Sequence, residues 1–217
     1  MIEVKDVSLK IKESVILEHV NLQCSPGEIC GIVGRNGSGK TMLMKCICGF
    51  VRPTEGEILV KEKKIGKDID FIPDAGLIIE TPGFIPYYSG IKNLRLLASI
   101  QKKVSEAEIR EVMQLVGLDP DLKRAVKKYS LGMRQRLGLA QAVMENPDIL
   151  ILDEPFNGLD KEGVVEMRAY FLKLKEQGKT ILLCSHSAED IKVLCDKVYE
   201  MEHGKLSGTI SPEPAIC

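Results

Sequence analysis

Eight consecutive residues, Gly34-Arg35-Asn36-Gly37-Ser38-Gly39-Lys40-Thr41, have the types and spacing to hold a row of phosphates. They fit the pattern G-x-x-x-x-G-K-[ST], after a short apolar run and before a helical one. Glycines let the backbone curl so that successive N–H groups point inward at anionic oxygens. The helix that follows turns its N-terminus toward the same anion, with Met42 as the next residue in line. Lys40 brings a cation for the β- and γ-phosphates, and Thr41 a hydroxyl for Mg²⁺. A second group lies far along the chain, where Ile149-Leu150-Ile151-Leu152 runs into Asp153 and Glu154. Asp153 suits a Mg²⁺ ligand, direct or through water, and Glu154 suits the polarising or deprotonation of an attacking water. Two adjacent acids could instead merely begin a solvated loop; beside a phosphate loop the chemical reading outweighs that one.

Stepping from these residues to their supports, Ile2–Leu9 and Val15–Leu22 have the pattern of paired strands, and Glu28–Val33 that of a buried strand after Pro26-Gly27. Thr41–Cys48 reads as a helix ending near Gly49, with further strands at Glu57–Val60 and Ile69–Ile72. From Phe84 to Asn146 the periodicity is helical. Ile91–Ile100 is one helix, Ser105-x-x-Glu108 is a capping box opening another that runs to Val116, and Leu131–Glu145 stops at Asn146-Pro147. Strands return at Ile149–Leu152 and Thr180–Cys184 with a helix between them at 161–177. Val198–Met201 and Leu206–Ile210 flank a turn, and Pro212–Cys217 is expected to fray. Strands alternating with helices imply an α/β domain with a mostly parallel sheet covered on its faces, whose strand ends form the ligand edge. The expected organisation is one domain over 1–217, with a core of about 1–83 and 147–217 and an inserted helical subdomain of about 84–146.

Bulk properties narrow the class. A chain of 217 residues, 44% hydrophobic and 28% charged, fits one globular domain. The net charge of −1 gives no electrostatic reason to expect nucleic acid. No apolar run nears the roughly 20 residues that span a bilayer. Seven cysteines, mostly inside apolar runs, read as unpaired core thiols of a reducing cytoplasm. Cys46 and Cys48, two apart on a helix, do not face each other as a metal pair would.

Three further segments complete a pattern. Tyr129-Ser130-Leu131-Gly132-Met133-Arg134-Gln135-Arg136 opens the helix before the acidic strand, Asn157-Gly158-Leu159-Asp160 follows it, and His186 follows the Thr180–Cys184 strand. With the phosphate loop and the acids, this order over nearly the whole chain resembles the nucleotide-binding subunit of ATP-binding cassette (ABC) transporters. The resemblance implies an ABC-type P-loop ATPase fold, with an antiparallel β region beside the parallel sheet, ATP and Mg²⁺ as ligands, and a pair of cassettes, identical or not, beneath a membrane permease. It makes Ser130 and Gly132 contacts for the γ-phosphate held by the opposite chain, Asp160 part of the loop joining the two sites, and His186 a hydrogen-bond partner of the γ-phosphate.

The sequence departs from the family pattern in three places. The signature Leu-Ser-Gly-Gly-Gln is here Tyr129-Ser130-Leu131-Gly132-Met133. Glu80 stands where the family has Gln, as a residue for water or Mg²⁺. Ile11 takes the place of the aromatic that stacks on adenine. The strings LIIETPGF and YSLGMRQRLGLAQA resemble exporters of the bacitracin- and lantibiotic-resistance type, which implies peptide antibiotics or other small amphipathic cargo and a place on the cytoplasmic face of the membrane. Phe84, Tyr87 and Tyr88 either dock the permease or form the helical subdomain's own core. Two other classes compete: a soluble ABC ATPase of the iron–sulfur cluster assembly kind, and a kinase, against which the water-directed placement of Glu154 and His186 speaks.

Overall fold

The computed structural model describes residues 1–210, so Pro212–Cys217, expected to fray, lies outside the described residues. The chain opens with a hairpin of β1 (Ile2–Ile11) and β2 (Ser14–Cys24), then β3 (Ile29–Val33) and α1 (Lys40–Cys48). β4 (Glu55–Val60), the two-residue β5 (Lys63–Lys64) and β6 (Ala75–Ile78) follow. The helical stretch holds α2 (Gly90–Gln101), α3 (Glu106–Leu115), a single 3-10 turn at Val126–Lys128, and α4 (Leu131–Val143). β7 (Ile149–Asp153), α5 (Lys161–Glu176), β8 (Thr180–Cys184), α6 (Ala188–Leu194), β9 (Lys197–Glu202) and β10 (Lys205–Ile210) complete it.

Two sheets form. One is antiparallel, ordered β2-β1-β4-β5. The other is ordered β10-β9-β3-β8-β7-β6 and parallel throughout except for β10, which returns antiparallel beside β9. The central strands are apolar at almost every position because both of their faces are covered. Side chains alternate across them: Ile149, Ile151, Leu182 and Cys184 enter one core, with α1 and the antiparallel sheet. Leu150, Leu152, Ile181 and Leu183 enter the other, with residues of α2 to α6. Each such leucine or isoleucine adds about 1.5–3 kcal/mol by leaving water.

Most expected elements form within a residue or two of their sequence bounds, and the capping box is complete, with Ser105 and Glu108 each bonding the other's backbone N–H. The strand expected at Ile69–Ile72 does not form. That segment is a loop held against the end of α1, with the Ile72 N–H donating to the Cys48 carbonyl, and the strand lies instead at Ala75–Ile78. Six cysteines are buried and unpaired among the described residues. Burial pushes Cys46 up to about 11 and Cys48 up to about 12, so both are protonated apolar fillers at neutral pH. Among the described residues no helix is long and apolar enough to cross a membrane.

Candidate functional site

The turn from β3 into α1 carries residues 34–41. Its first glycine, Gly34, has φ +147, and a Cβ there would lie 2.2 Å from the Met201 carbonyl oxygen. Only glycine fits so close to β9. The turn between β9 and β10 supports the loop as well: the Gly204 N–H donates to the Ser38 carbonyl (2.9 Å), and the Glu18 N–H of β2 donates to the Gly204 carbonyl (2.9 Å). Gly39, the residue before α1, makes no side-chain cap, so the first N–H groups of the helix are left for an anion. Lys40 is buried and its ammonium curls back onto the Gly34 (2.7 Å) and Arg35 (3.0 Å) carbonyls, inside the turn.

β7 delivers the acids to this turn. The Thr41 hydroxyl donates to Asp153 Oδ2 at 2.7 Å. Glu154, just past the strand end, has φ +50, a left-handed backbone that a non-glycine residue adopts at a cost of about 1–3 kcal/mol. Its N–H is tied to the Cys184 carbonyl (3.0 Å), and its carbonyl accepts from Gln135 Nε2 (3.1 Å), which also donates to the Pro155 carbonyl. The backbone is thus held from β8 on one side and α4 on the other. Glu154 Oε1 is buried without a hydrogen bond and lies 3.3 Å from His186 Nε2. Burial pushes the Glu154 carboxyl up, partly offset by His186. The same His186 nitrogen reaches Asn36 Oδ1 at 2.9 Å, so the histidine bridges the phosphate loop and the acid.

A cleft of about 660 Å³ gathers Asn36, Gly37, Gly39, Lys40, Thr41, Met42, Glu80, Asp153, Glu154 and His186. That is within the usual size for a small-ligand site. Gly34, Arg35 and Ser38 line a second hollow of about 860 Å³ behind the loop, shared with His186. Glu80 faces the cleft, but its carboxylate is paired with Lys45 at 2.6 Å. Ile11 is at the hairpin tip, 44% exposed and outside the cleft lining; Ile16, across the hairpin, reaches it instead. Among the described residues no Phe, Tyr or Trp ring lines the cleft.

Ser130, Gly132 and Asp160 stand off this chain's own cleft. Ser130 caps α4, accepting from the Met133 N–H, and a Cβ on Gly132 would meet the Gly158 carbonyl oxygen at 2.3 Å. Asp160 caps α5 and pairs with Arg136 at 2.6 Å. Desolvation raises the Asp160 pKa, but Arg136 and the Gly163 N–H outweigh it and hold the carboxyl below its ordinary value.

Gln135, Lys45 and Ile16 are among the contributors that the motifs did not point to. Lys45 had a local signal, since it lies four residues from Thr41 and so on the same face of α1. Gln135 and Ile16 had none short of the tertiary fold.

The donors suit the ligands that the loop pattern implies. A hydroxyl and a carboxylate 2.7 Å apart are hard oxygen donors of the kind Mg²⁺ takes. Buried, unpartnered Ser38 Oγ and the uncapped start of α1 suit phosphate oxygens.

The comparisons agree with this geometry. Residues 17–157 match the family model described as ABC transporter. The uncharacterized ABC transporter ATP-binding protein YybJ of Bacillus subtilis (strain 168) is 44% identical over 206 residues, 95% of this chain and 94% of that one. The bacitracin transport ATP-binding protein BcrA of Enterococcus faecalis is 38% identical over 208 residues, 95% of this chain and 68% of that protein. Among solved structures, the dimeric post-hydrolysis state of the ATP-binding cassette MJ0796, bound to ADP and Pi, superposes with a TM-score of 0.87 at 23% identity, covering 99% of this chain and 100% of that one. With the match over residues 17–157 and 44% identity to YybJ along 95% of its length, the chain is a member of the ABC transporter family, an ATP-binding subunit that hydrolyses ATP.

Proposed function

We propose that this chain is the motor of an exporter, in which ATP closes a pair of cassettes and hydrolysis lets them part. The observation that carries the reading is the 2.7 Å contact between Thr41 of the phosphate loop and Asp153 of the acidic strand, with Glu154 beside it. Thr41 and Asp153, with Glu80 close by, would hold Mg²⁺, which when bound neutralises charge on the β- and γ-phosphates. The backbone N–H groups of residues 34–42 cradle the phosphates, and Lys40 exchanges its two carbonyl partners for phosphate oxygens. Glu154 then orients and deprotonates the attacking water through its unpartnered oxygen, and His186 senses the γ-phosphate from between Asn36 and Glu154. Adenine packs on Ile16 without an aromatic platform.

Ser130, Gly132 and Asp160 act on the other chain's nucleotide, which is why they stand off their own cleft. The chain is one nucleotide-binding domain with a core of about 1–83 and 147–217, and its helical part, about 84–146, meets a membrane permease. Phe84 is partly buried against the helical core, whereas Tyr87 is 73% exposed beside the exposed Ile85, so the docking role falls to the latter two. The chain works at the cytoplasmic face of the membrane, held there by the permease. Peptide antibiotics or similar amphipathic molecules are the cargo, a reading supported by the likeness to the bacitracin protein.

The test is Glu154→Gln. Turnover is expected to fall by about 10²–10⁴-fold with ATP affinity retained, and size-exclusion chromatography with ATP and Mg²⁺ should show a nucleotide-bound dimer. Wild-type turnover would remove Glu154 from the base role. Co-purification of a multi-spanning protein from detergent-solubilised membranes tests the permease.

A further inference from the structure

His186 is flanked by Ser185 and Ser187, and both are bonded to Asp190, Ser185 to its buried carboxylate and Ser187 to its backbone N–H. The Ser185 hydroxyl donates to Asp190 Oδ2 at 2.7 Å. The Ser187 N–H donates back to Ser185 Oγ at 3.1 Å, and the Asp190 N–H donates to Ser187 Oγ at 3.2 Å. The backbone on either side of His186 is therefore closed into a ring of three hydrogen bonds. The other oxygen, Asp190 Oδ1, accepts from Arg168 Nε at 2.8 Å and from Arg168 Nη2. Arg168 lies on α5 and also pairs with Glu189 at 3.0 Å. Asp190 is 4% and Arg168 8% exposed. Stripping both charges of water is costly, and a merely structural contact between α5 and α6 would be served as well by apolar side chains.

We propose that Arg168 and Asp190 are positioning residues for His186, acting through Ser185 and Ser187. They anchor the histidine-bearing turn to the body of α5, so that the imidazole stays between Asn36 and Glu154. The imidazole is only half covered, so its hold there rests on the Asn36 contact and on the backbone that carries it. The inference rests on the proposed role of His186 in turnover, but its test separates the two.

The chain has three histidines, His19, His186 and His203, so His186 is assignable in an NMR spectrum of the ring protons by its loss in His186→Ala. Ser185→Ala removes the bridging hydroxyl and leaves the Arg168–Asp190 pair intact. It is expected to stay folded with a lowered melting temperature, since Asp190 Oδ2 and the Ser187 N–H each lose this partner, to keep ATP affinity, to lower kcat about ten-fold through misplacement of the ring, and to shift the His186 resonance alone. Ser185→Thr, which keeps a hydroxyl, should restore both. Asp190→Asn should shift the same resonance; if it fails to fold, Ser185→Ala carries the decision. An unmoved His186 signal in folded Ser185→Ala overturns the inference, whether or not kcat falls. Wild-type kcat in His186→Ala would instead sink the proposed catalytic reading, while the ring signal still reports on positioning.

Discussion

Glu154 is placed where a carboxylate is costly: left-handed backbone, half-buried side chain, and one oxygen without a hydrogen bond. Burial raises its pKa, which has two consequences of opposite character. In the proposed role of base, Glu154 would work only when ionised, so the acid limb of kcat/KM is expected at a higher pH than an ordinary surface glutamate would give, read from a pH–rate profile. For stability, the folded chain binds this proton more tightly than the unfolded one. The contribution is therefore fully present below the ordinary carboxylate pKa and is lost as pH rises through the native value. Glu154→Gln should accordingly melt higher than wild type near neutral pH, and the difference should vanish in acid. With Lys40 on the phosphates as proposed, Lys40→Ala should remove a charge-assisted contact worth about 1.5–3 kcal/mol, or roughly 10–100-fold in ATP affinity by titration calorimetry. At this scale the sequence was legible wherever a motif is local. The glycine-rich loop, Asp153, Glu154 and His186, which the fold brings to one cleft, stand out from their neighbours in the sequence. Gln135 does not, because its partners, the carbonyls of Glu154 and Pro155, are about 20 residues away and meet it only in the folded chain.

Elements carry unequal loads. Leu182 is fully buried in the core that also contains α1, so Leu182→Ala should cost about 2–5 kcal/mol in urea unfolding. Ser105→Ala removes one cap from α3 at a surface, and about 1 kcal/mol should be lost. The same contrast explains which elements could be read in advance. The α3 cap is written within four residues, and β7 and β8 declare themselves by uninterrupted apolar runs. β6 is four residues long, contains Gly76, and follows the more strand-like Ile69–Ile72 segment, whose backbone is drawn away by the end of α1. Periodicity counts side chains. It does not count which neighbour claims the backbone first.

For the molecule as a whole, alternation of strands and helices implied a parallel sheet but not its order, β10-β9-β3-β8-β7-β6, because pairing partners lie far apart in sequence. That Ser130, Gly132 and Asp160 fall outside their own chain's cleft agrees with the resemblance, but no local pattern of residues carries it. If the working site is shared, Ser130→Ala chains mixed with Lys40→Ala chains form one site with both defects and one with neither. ATPase activity of the mixture should then exceed the sum of the two separate variants. Simple additivity across all mixing ratios would refute the shared site.

The hairpin turn at Gly204 holds both the phosphate loop and β2, and Met201 sets the fit at Gly34. During synthesis the loop leaves the ribosome long before these supports exist. A nascent chain that already carries residues 34–41 therefore lacks the braces that shape them. It should capture nucleotide poorly until the β9–β10 hairpin has emerged.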